Sequence, residues 1–560
     1  MASPLAHPPQ TALRSPDLVM RLARMGSFHQ CRLSFMRTLL RKLSREAWTF
    51  ERPVFDLDVR GVGTAVYTAN GPDGPLSLVC FGHDLPDDQR SDRVIAHAWD
   101  ATFALFDGVP TQDDIARLAG NVPKQEAGRV STSELSLSRA NRSVRLFEHV
   151  LARLVAGQQP DAEQITQVGY LMRTTAVYGA GKFGAADLTP GTQPFQTEML
   201  TVFLIRAFTL DLVEHMARLR APDTAVTIAP DLRRRFGVGN STGLGMAPFI
   251  VNHPVLLNNW IAARETALAR VRAVPVATEA AQRTFADVLQ RAVENTAIWT
   301  SQHPLQVTKI AALAADLGAV QNHVAGGALA GEQPWDRLCD WSQTHLSLEG
   351  QEQLVSLVLE PYGALVDDLT MGMGADEDAE FAIDGQMRIG DLRVGLDTVF
   401  DWALEQDWDA PAQVARVWYT SEEKLEPRLG ERFDEPIEPY EQPLSPARDA
   451  AALAQDLQQW SSTEPVAAFL LRHPEHRHML RRVQIAMRHP YAEIRDNTIA
   501  ADMLPIDLLR CKLSFFGATH FDPRSDRWVR ITMFQNAPFP HELSHVQEDD
   551  WAYPAQAAGG

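Results

Sequence analysis

The segment 236–249 constrains the fold of this chain more than any other, because its sequence FGVGNSTGLGMAPF places four glycines within ten residues. So many glycines cost too much backbone entropy for an ordinary helix or strand, and the pattern therefore predicts a loop. Three arginines precede the segment at 233–235, and Pro248 is well placed to begin a helix after it. Successive glycine amides, followed by the positive end of a helix, are typical of an anion-binding turn.

The middle of this segment adds side-chain donors to the glycine backbone. Gly239 is followed by Asn240, Ser241 and Thr242, and Arg234 lies just upstream. We expect these five residues to bind a carboxylate or phosphate. A structural alternative is that the glycines only allow two helices to cross closely.

Ser241 also lies in the sequence GNSTG, which matches the G-x-S-x-G nucleophile elbow in its letters. That motif needs a buried strand before the serine and a helix after it. The preceding residues 231–236 are too charged for a buried strand. A hydrolase that uses Ser241 as its nucleophile is therefore an alternative rather than the preferred interpretation.

A second glycine-rich segment, GAGKFG at 179–184, follows the strand-compatible sequence 174–178 and matches G-x-G-x-x-G. A dinucleotide-binding fold needs a long helix after these glycines, and Pro190 leaves little room for one. The spacing around Lys182 is not that of a P-loop. We therefore expect no cofactor. An anion site is expected from residues on and near this loop, namely Arg173, Gly179, Gly181, Lys182 and Gly184, with a plain turn as the alternative. Lys182 is also a candidate catalytic residue.

His541, Glu542 and His545 form the sequence H-E-x-x-H. On a helix this spacing places two imidazoles on one face to bind zinc, with the glutamate as general base. Pro538 and Pro540 precede the motif, and no third ligand follows at a recognised spacing. We interpret the segment as a polar C-terminal stretch, with a zinc hydrolase as an alternative.

His473, His476 and His478 lie close together in the sequence RHPEHRH. We interpret this segment as the solvated start of a helix rather than as a metal site.

Three further residues are candidates for chemistry. Cys31 follows His29 in FHQCR, and a neighbouring cation can lower a thiol pKa and make the cysteine reactive. A buried, inert thiol is the preferred alternative, since residues two apart on a helix do not face one another. Lys424 and Arg428 follow an aromatic pair and could hold an acidic ligand; the alternative is a salt-bridged surface.

Composition limits the class of function. The formal charge of -19 argues against nucleic-acid and anionic-membrane partners, which concentrated Lys and Arg usually hold. The four cysteines form no C-x-x-C pair, and we find neither a secretory signal nor a membrane-spanning apolar run. We therefore expect a cytoplasmic protein. The sequence leaves its oligomeric state open, a homo-oligomer included.

The predicted fold class is α+β, mainly α-helical, with a small antiparallel sheet from N- and C-terminal strands. Strands are predicted at 63–67 and 76–80, joined by turn residues, and at 508–516 and 528–534. A buried helix is predicted over 197–219, where apolar residues occupy nearly every side. The predicted organisation is a disordered tail (1–15), an N-terminal α+β region (16–130), a helical central domain (131–433), a Pro-rich acidic linker or loop (434–446) and C-terminal helices with a hairpin (447–560).

The function that we expect from these patterns is an enzyme acting on a small anionic metabolite. Because no cofactor motif fits its context, we expect lyase or hydrolase chemistry by general acid/base catalysis. A non-catalytic helical scaffold or binding protein is the competing class.

Overall fold

A computed structural model describes most of the chain. The described residues are 13–86, 99–120, 122, 131–174, 196–243, 254–299, 301, 304–373, 382–410, 418–421, 427–429, 441–444, 446–495, 505–518, 520–522, 528–545 and 550–553. Among these residues, no helix combines the length and the apolar character that a membrane crossing needs.

The larger of two sheets has nine strands in the order β1-β2-β3-β4-β5-β6-β7-β12-β11. All neighbouring pairs are antiparallel except β6 and β7, which run parallel. Its strands are β1 (Thr49–Leu57), β2 (Gly63–Gly71), β3 (Gly74–Gly82), β4 (Ala101–Asp107), β5 (Glu134–Arg142), β6 (Tyr170–Thr174), β7 (Gly237–Gly243), β11 (His520–Asp522) and β12 (Trp528–Met533). A second sheet has the order β10-β8-β9, formed by β8 (Trp418–Ser421), β9 (Pro427–Leu429) and β10 (Glu441–Leu444).

The prediction of a small antiparallel sheet is therefore wrong, although helices are abundant as expected. The missing strands come from the middle of the chain, where β5, β6 and β7 connect the N-terminal strands to β12. Strand β5 was hard to find because several of its inward positions are polar. Ser136 and Ser138 are buried, and their hydroxyls lie 2.7 Å from those of Thr201 and Thr174.

The predicted N-terminal hairpin is confirmed as β2 and β3, and the predicted strand at 528–534 is confirmed as β12. The predicted strand at 508–516 is wrong, because Pro505–Phe516 is a helix. Cys511, Leu513 and Phe515 are buried with the alternation of a strand, but Arg510, Ser514 and Phe516 are buried as well, so this helix is covered on several sides and has no clear helical period.

The α-helices are α1 (Pro16–Val19), α2 (Phe35–Arg45), α3 (Gln112–Ala119), α4 (Phe147–Val155), α5 (Ala162–Val168), α6 (Gln196–Arg220), α7 (Pro230–Arg234), α8 (Pro254–Arg272), α9 (Glu279–Ala297), α10 (Pro304–Ala325), α11 (Pro334–His345), α12 (Leu348–Val358), α13 (Gly363–Val366), α14 (Ile389–Val399), α15 (Asp401–Leu404), α16 (Pro446–Leu457), α17 (Val466–Leu470), α18 (Arg477–Arg488) and α19 (Pro505–Phe516). Helix α6 confirms the predicted buried helix.

Helix α6 packs across one face of the large sheet. The ring of Phe208 on α6 lies 5.5 Å from that of Phe103 on β4 and 6.4 Å from that of Tyr67 on β2, measured between centroids. Residues that alternate with these along the strands, such as Val66 and Ala104, face a separate apolar cluster with Leu118 of α3. The sheet is therefore covered on both faces, and α6 places its charged residues next to β1 and β2.

Two larger apolar cores organise the described helices. The main core draws residues from 19–373 and again from 491–553. A smaller core is built from 389–486, chiefly α14, α16 and α18. The predicted domain boundaries stay predictions.

Candidate functional site

The glycine segment that dominates the sequence forms strand β7 over Gly237–Gly243, so the predicted loop is wrong there, and anion binding by Gly239, Asn240, Ser241 and Thr242 stays a prediction. Strand β7 pairs with β12 over 238–243 and with β6 at Gly237 and Gly239. A Cβ added to Gly239 would lie 2.7 Å from the ring of Tyr170. The glycine is therefore needed for close packing.

Asn240 is buried, and its side-chain nitrogen donates to the carbonyl of Thr174 at 3.4 Å. Ser241 lies inside the strand, opposite Arg530 on β12. A nucleophile elbow needs its serine on a sharp turn after a strand, which differs from this position within β7; the alternative of a Ser241 hydrolase stays a prediction.

The second glycine loop, with Gly179, Gly181, Lys182 and Gly184, lies outside the described residues, and its anion site stays a prediction. Arg173 lies on β6 and is buried.

The Lys424 and Arg428 site also stays a prediction. Lys424 lies outside the described residues, and Arg428 lies on β9 opposite Tyr419.

The H-E-x-x-H motif adopts a 3₁₀ helix, Pro540–His545, rather than an α-helix. With three residues per turn, backbone positions four apart do not share a face as they do in an α-helix. The zinc alternative for His541 and His545 stays a prediction. Glu542 instead pairs with Arg234 at 3.1 Å and accepts the amide of Phe539 at 2.7 Å. Arg234 and Glu542 are therefore partners in one ion pair, and their predicted roles at an anion site and a zinc site stay predictions.

Cys31 is fully buried, and burial raises the pKa of its thiol. It lies in an irregular segment between α1 and α2. A thiol that stays protonated is a poor nucleophile, so its candidacy as a catalytic residue is not supported.

A cleft of about 750 Å³ lies between the end of α2, strand β1, helix α6 and the segment 539–543. Its walls are mostly apolar, and they include Leu43, Phe50, Leu204, Ala207, Phe539 and Leu543. The polar residues that line it are Ser44, Thr49, Glu51, Arg52, Tyr67, Asp211, Arg233 and His541. This volume and this mixture of apolar walls with a few polar groups are typical of small-molecule sites.

Asp211 organises the polar wall of the cleft. Its Oδ2 accepts the Tyr67 hydroxyl and Arg52 Nη1, each at 2.8 Å, and its Oδ1 accepts Arg233 Nη2 at 2.8 Å. Burial, together with the charge of Asp211, raises the pKa of Tyr67 well above its ordinary value, which keeps that hydroxyl a neutral donor. A carboxylate with three donors holds its partners in place, so Asp211 fixes the two guanidinium groups beside the apolar walls.

Phe539 forms the end wall of the cleft between a guanidinium group and an imidazole. The Arg206 guanidinium carbon lies 4.0 Å from the ring centroid, and the His541 ring is parallel to Phe539 with centroids 6.0 Å apart. Arg206 is fully buried and donates to the carbonyls of Phe236 at 2.7 Å and Ala537 at 2.8 Å. These bonds tie the start of β7 to the segment that carries His541.

Comparison with known proteins adds no identification: neither a family model, nor a curated protein, nor a solved structure matches this chain. The function must therefore be argued from the cleft itself.

Sequence reasoning missed Arg52, Tyr67 and Asp211 because they lie far apart along the chain and belong to no short motif. A usable signal was present in α6, where Arg206 and Asp211 interrupt an otherwise apolar helix. Ionisable residues on a buried helix need partners, and such residues often line a site.

A second polar region is buried near the N-terminus. The His29 ring is stacked on Tyr553, with centroids 5.2 Å apart, and also contacts Trp299 at 4.8 Å. Its Nδ1 lies 2.9 Å from Gln353 Oε1, while Nε2 has no hydrogen-bond partner among the described residues. Burial lowers the pKa of His29 to about 4, so this imidazole is a neutral core residue near pH 7.

Proposed function

We propose that the cleft beside Asp211 binds a small metabolite that combines an apolar body with a carboxylate or phosphate, and that the protein is an enzyme acting on it. The observation that carries the proposal is the fixed pair of guanidinium groups, Arg52 and Arg233, held by one carboxylate at the edge of an apolar cleft. The apolar walls would take the body of the ligand, and Arg52 would take its charge.

Arg52 is the better placed of the two arginines to bind an incoming anion. Its side chain is 44% exposed and bonds to Asp211 through one guanidinium nitrogen. Arg233 is 19% exposed and is shared between Asp211 and Glu214, both within 2.8 Å. The proposal therefore assigns Arg52 to the ligand and Arg233 to support of Asp211.

His541 is the proposed acid/base residue of the cleft. Its imidazole lines the cleft and is exposed, whereas Asp211 is occupied by three donors and Tyr67 is kept protonated. Imidazole groups are the most frequent general acids and bases in enzymes. This assignment fits lyase or hydrolase chemistry without a redox cofactor.

The proposal places the protein in the cytoplasm. All four cysteines are buried as free thiols, which suits a reducing compartment.

The binding proposal is tested by a thermal-shift comparison of phenylacetate and phenyl phosphate with their uncharged analogues phenylacetamide and phenol. A ligand of the native state at about 100 times its Kd adds roughly 2.7 kcal/mol of stability. We expect the charged compounds to raise Tm in the wild type and to lose that effect in Arg52→Ala. Arg60→Ala is a matched control, because Arg60 is an exposed arginine paired with Asp58.

Equal shifts for charged and uncharged compounds, or no shift at all across such a panel, would favour the scaffold alternative.

Catalysis is tested separately by NMR detection of product from a bound compound. His541→Asn should keep binding and lose turnover, and retained turnover would remove His541 from the mechanism.

A further inference from the structure

Four metal-ligating side chains meet at one end of the smaller core. Asp456 lies near the C-terminal end of α16, and His473, Glu475 and His476 lie in the turn that leads into α18. One ligand atom from each residue can be chosen so that all four lie within 4.8 Å of one another. The sequence interpretation of this segment as a solvated helix start did not include Asp456, which is 17 residues before His473 in the chain.

The distances in this cluster are close to those of a tetrahedral metal site. His476 Nε2 lies 2.7 Å from Asp456 Oδ2, and His473 Nδ1 lies 3.2 Å from Glu475 Oε1. Zinc bonds of about 2.0–2.2 Å place neighbouring ligand atoms roughly 3.3–3.6 Å apart. The His473–Glu475 pair therefore lies near the length of one tetrahedral edge, whereas the His476–Asp456 pair is in hydrogen-bond contact and would have to separate by roughly 0.6–0.9 Å. The four ligand atoms lie within 4.8 Å of one another, so the widest pair would have to approach by roughly 1.2–1.5 Å at most.

Phe469 holds both imidazoles in place. Its ring is stacked on His473, with centroids 4.8 Å apart, and on His476 at 5.7 Å, with interplanar angles of 19° and 20°. Trp460 packs edge-on against Phe469 at 5.5 Å. The cluster therefore has a rigid aromatic base, and little ordering of the two imidazoles would be needed when an ion binds.

The cluster is also open to solvent. The side chain of His476 is 9% exposed, whereas those of Asp456 and Glu475 are 42% and 60% exposed. An ion can therefore reach the two carboxylates from solvent and then contact the imidazoles beneath them.

We propose that Asp456, His473, Glu475 and His476 form a binding site for a divalent transition-metal cation, with Zn²⁺ as the best chemical match. Two imidazole nitrogens and two carboxylate oxygens suit Zn²⁺, whereas Mg²⁺ and Ca²⁺ prefer oxygen ligands alone. A bound ion links the end of α16 to the start of α18, and it stabilises the smaller core by binding only the folded state. This site belongs to a different core from the Asp211 cleft and does not depend on the proposed function.

The test is equilibrium dialysis of the full chain against Zn²⁺, with metal content measured by mass spectrometry, and titration calorimetry of the same proteins. His473→Ala and Glu475→Gln alter exposed or half-buried ligands, so both variants should fold, which circular dichroism checks. His478→Ala is the matched control, because His478 is exposed and lies outside the cluster. His541→Asn is a second control for zinc bound at the C-terminal histidines.

We expect one Zn²⁺ per chain in the wild type and in both controls, and at least a tenfold loss of affinity in His473→Ala and Glu475→Gln. Co²⁺ in place of Zn²⁺ should give the visible absorption of a tetrahedral site, and Mg²⁺ should not compete. Unchanged zinc affinity in both ligand variants, or equal loss in His478→Ala, would overturn the proposal.

Discussion

The buried imidazole of His29 makes a quantitative prediction about acid stability. Its pKa is lowered from 6.5 to about 4 in the folded protein, because burial disfavours the charged form. The unfolded chain therefore binds a proton more readily than the folded chain over this range. By linkage, the free energy of unfolding falls as the pH drops from about 6.5 to about 4.

The size of this effect follows from the shift of about 2.5 pH units. At about 1.36 kcal/mol per unit, the free energy of unfolding is lower by roughly 3 kcal/mol below pH 4 than at neutral pH. Between about pH 7 and pH 5 the expected loss is about 2 kcal/mol. His29 is 5% exposed, so solvent screening should reduce this figure little.

The assay is denaturant unfolding of the wild type and His29→Asn at pH 7 and pH 5. The asparagine amide can still donate to Gln353 Oε1 but cannot take up a proton. The variant should be less stable at pH 7, because it loses ring packing against Trp299 and Tyr553. Between pH 7 and pH 5, however, its free energy of unfolding should fall by about 2 kcal/mol less than that of the wild type. His478→Asn, an exposed control, should keep the wild-type pH dependence. Identical pH dependence in wild type and His29→Asn would refute the assignment of a neutral, desolvated imidazole.

Two further predictions concern backbone positions. Gly239→Ala should destabilise the protein by about 1–3 kcal/mol, because the new Cβ would lie 2.7 Å from the ring of Tyr170 in a packed core. Gly318→Ala, on α10, should instead stabilise the protein by up to about 1 kcal/mol, because the added Cβ would meet open space. Thermal unfolding compares the two variants, and equal effects would contradict the packing of Gly239 on β7 against Tyr170. Ala47, between α2 and β1, has φ of 51°, a left-handed conformation that glycine adopts more easily than alanine. Ala47→Gly should therefore raise the free energy of unfolding by about 0.5–1 kcal/mol in a denaturant titration. A loss of stability would show that this backbone conformation carries no strain.

The N-terminal part of the large sheet was predictable because its strands follow simple rules. Short apolar runs form β2 and β3, and turn residues separate the two strands, so local patterns alone identify the hairpin. Helix α6 was predictable for a similar reason, since apolar residues on nearly all sides indicate a buried helix.

Strand β7 could not be predicted from local propensity, because its glycines disfavour a strand when considered alone. They are explained by tertiary contacts: Gly239 faces the ring of Tyr170, and a Cβ at Gly237 would lie 2.3 Å from the carbonyl oxygen of Met533. These partners are about 70 and 300 residues away along the chain. Non-local packing of this kind leaves no signature within a short window.

The candidate site was missed for the same physical reason. Asp211 meets Arg52 and Tyr67 only after β1 and β2 pair and α6 packs on them. The short motifs that the sequence does contain, G-x-S-x-G and H-E-x-x-H, lie on a strand and a 3₁₀ helix, whereas their chemistry usually needs a strand-to-helix turn and an α-helix. A motif predicts function only when the elements around it adopt the geometry that the chemistry needs.

The most direct test of the proposed function is calorimetric titration of phenylacetate into the wild type, Arg52→Ala and Ala207→Trp. Ala207 lines the cleft on α6 and is 7% exposed, so a tryptophan there should fill the cleft while leaving Arg52 in place. Saturable binding in the wild type that is lost in Ala207→Trp and weakened at least tenfold in Arg52→Ala is the predicted result. Binding of equal affinity in all three proteins would place the ligand elsewhere and contradict the assignment of the Asp211 cleft as the functional site.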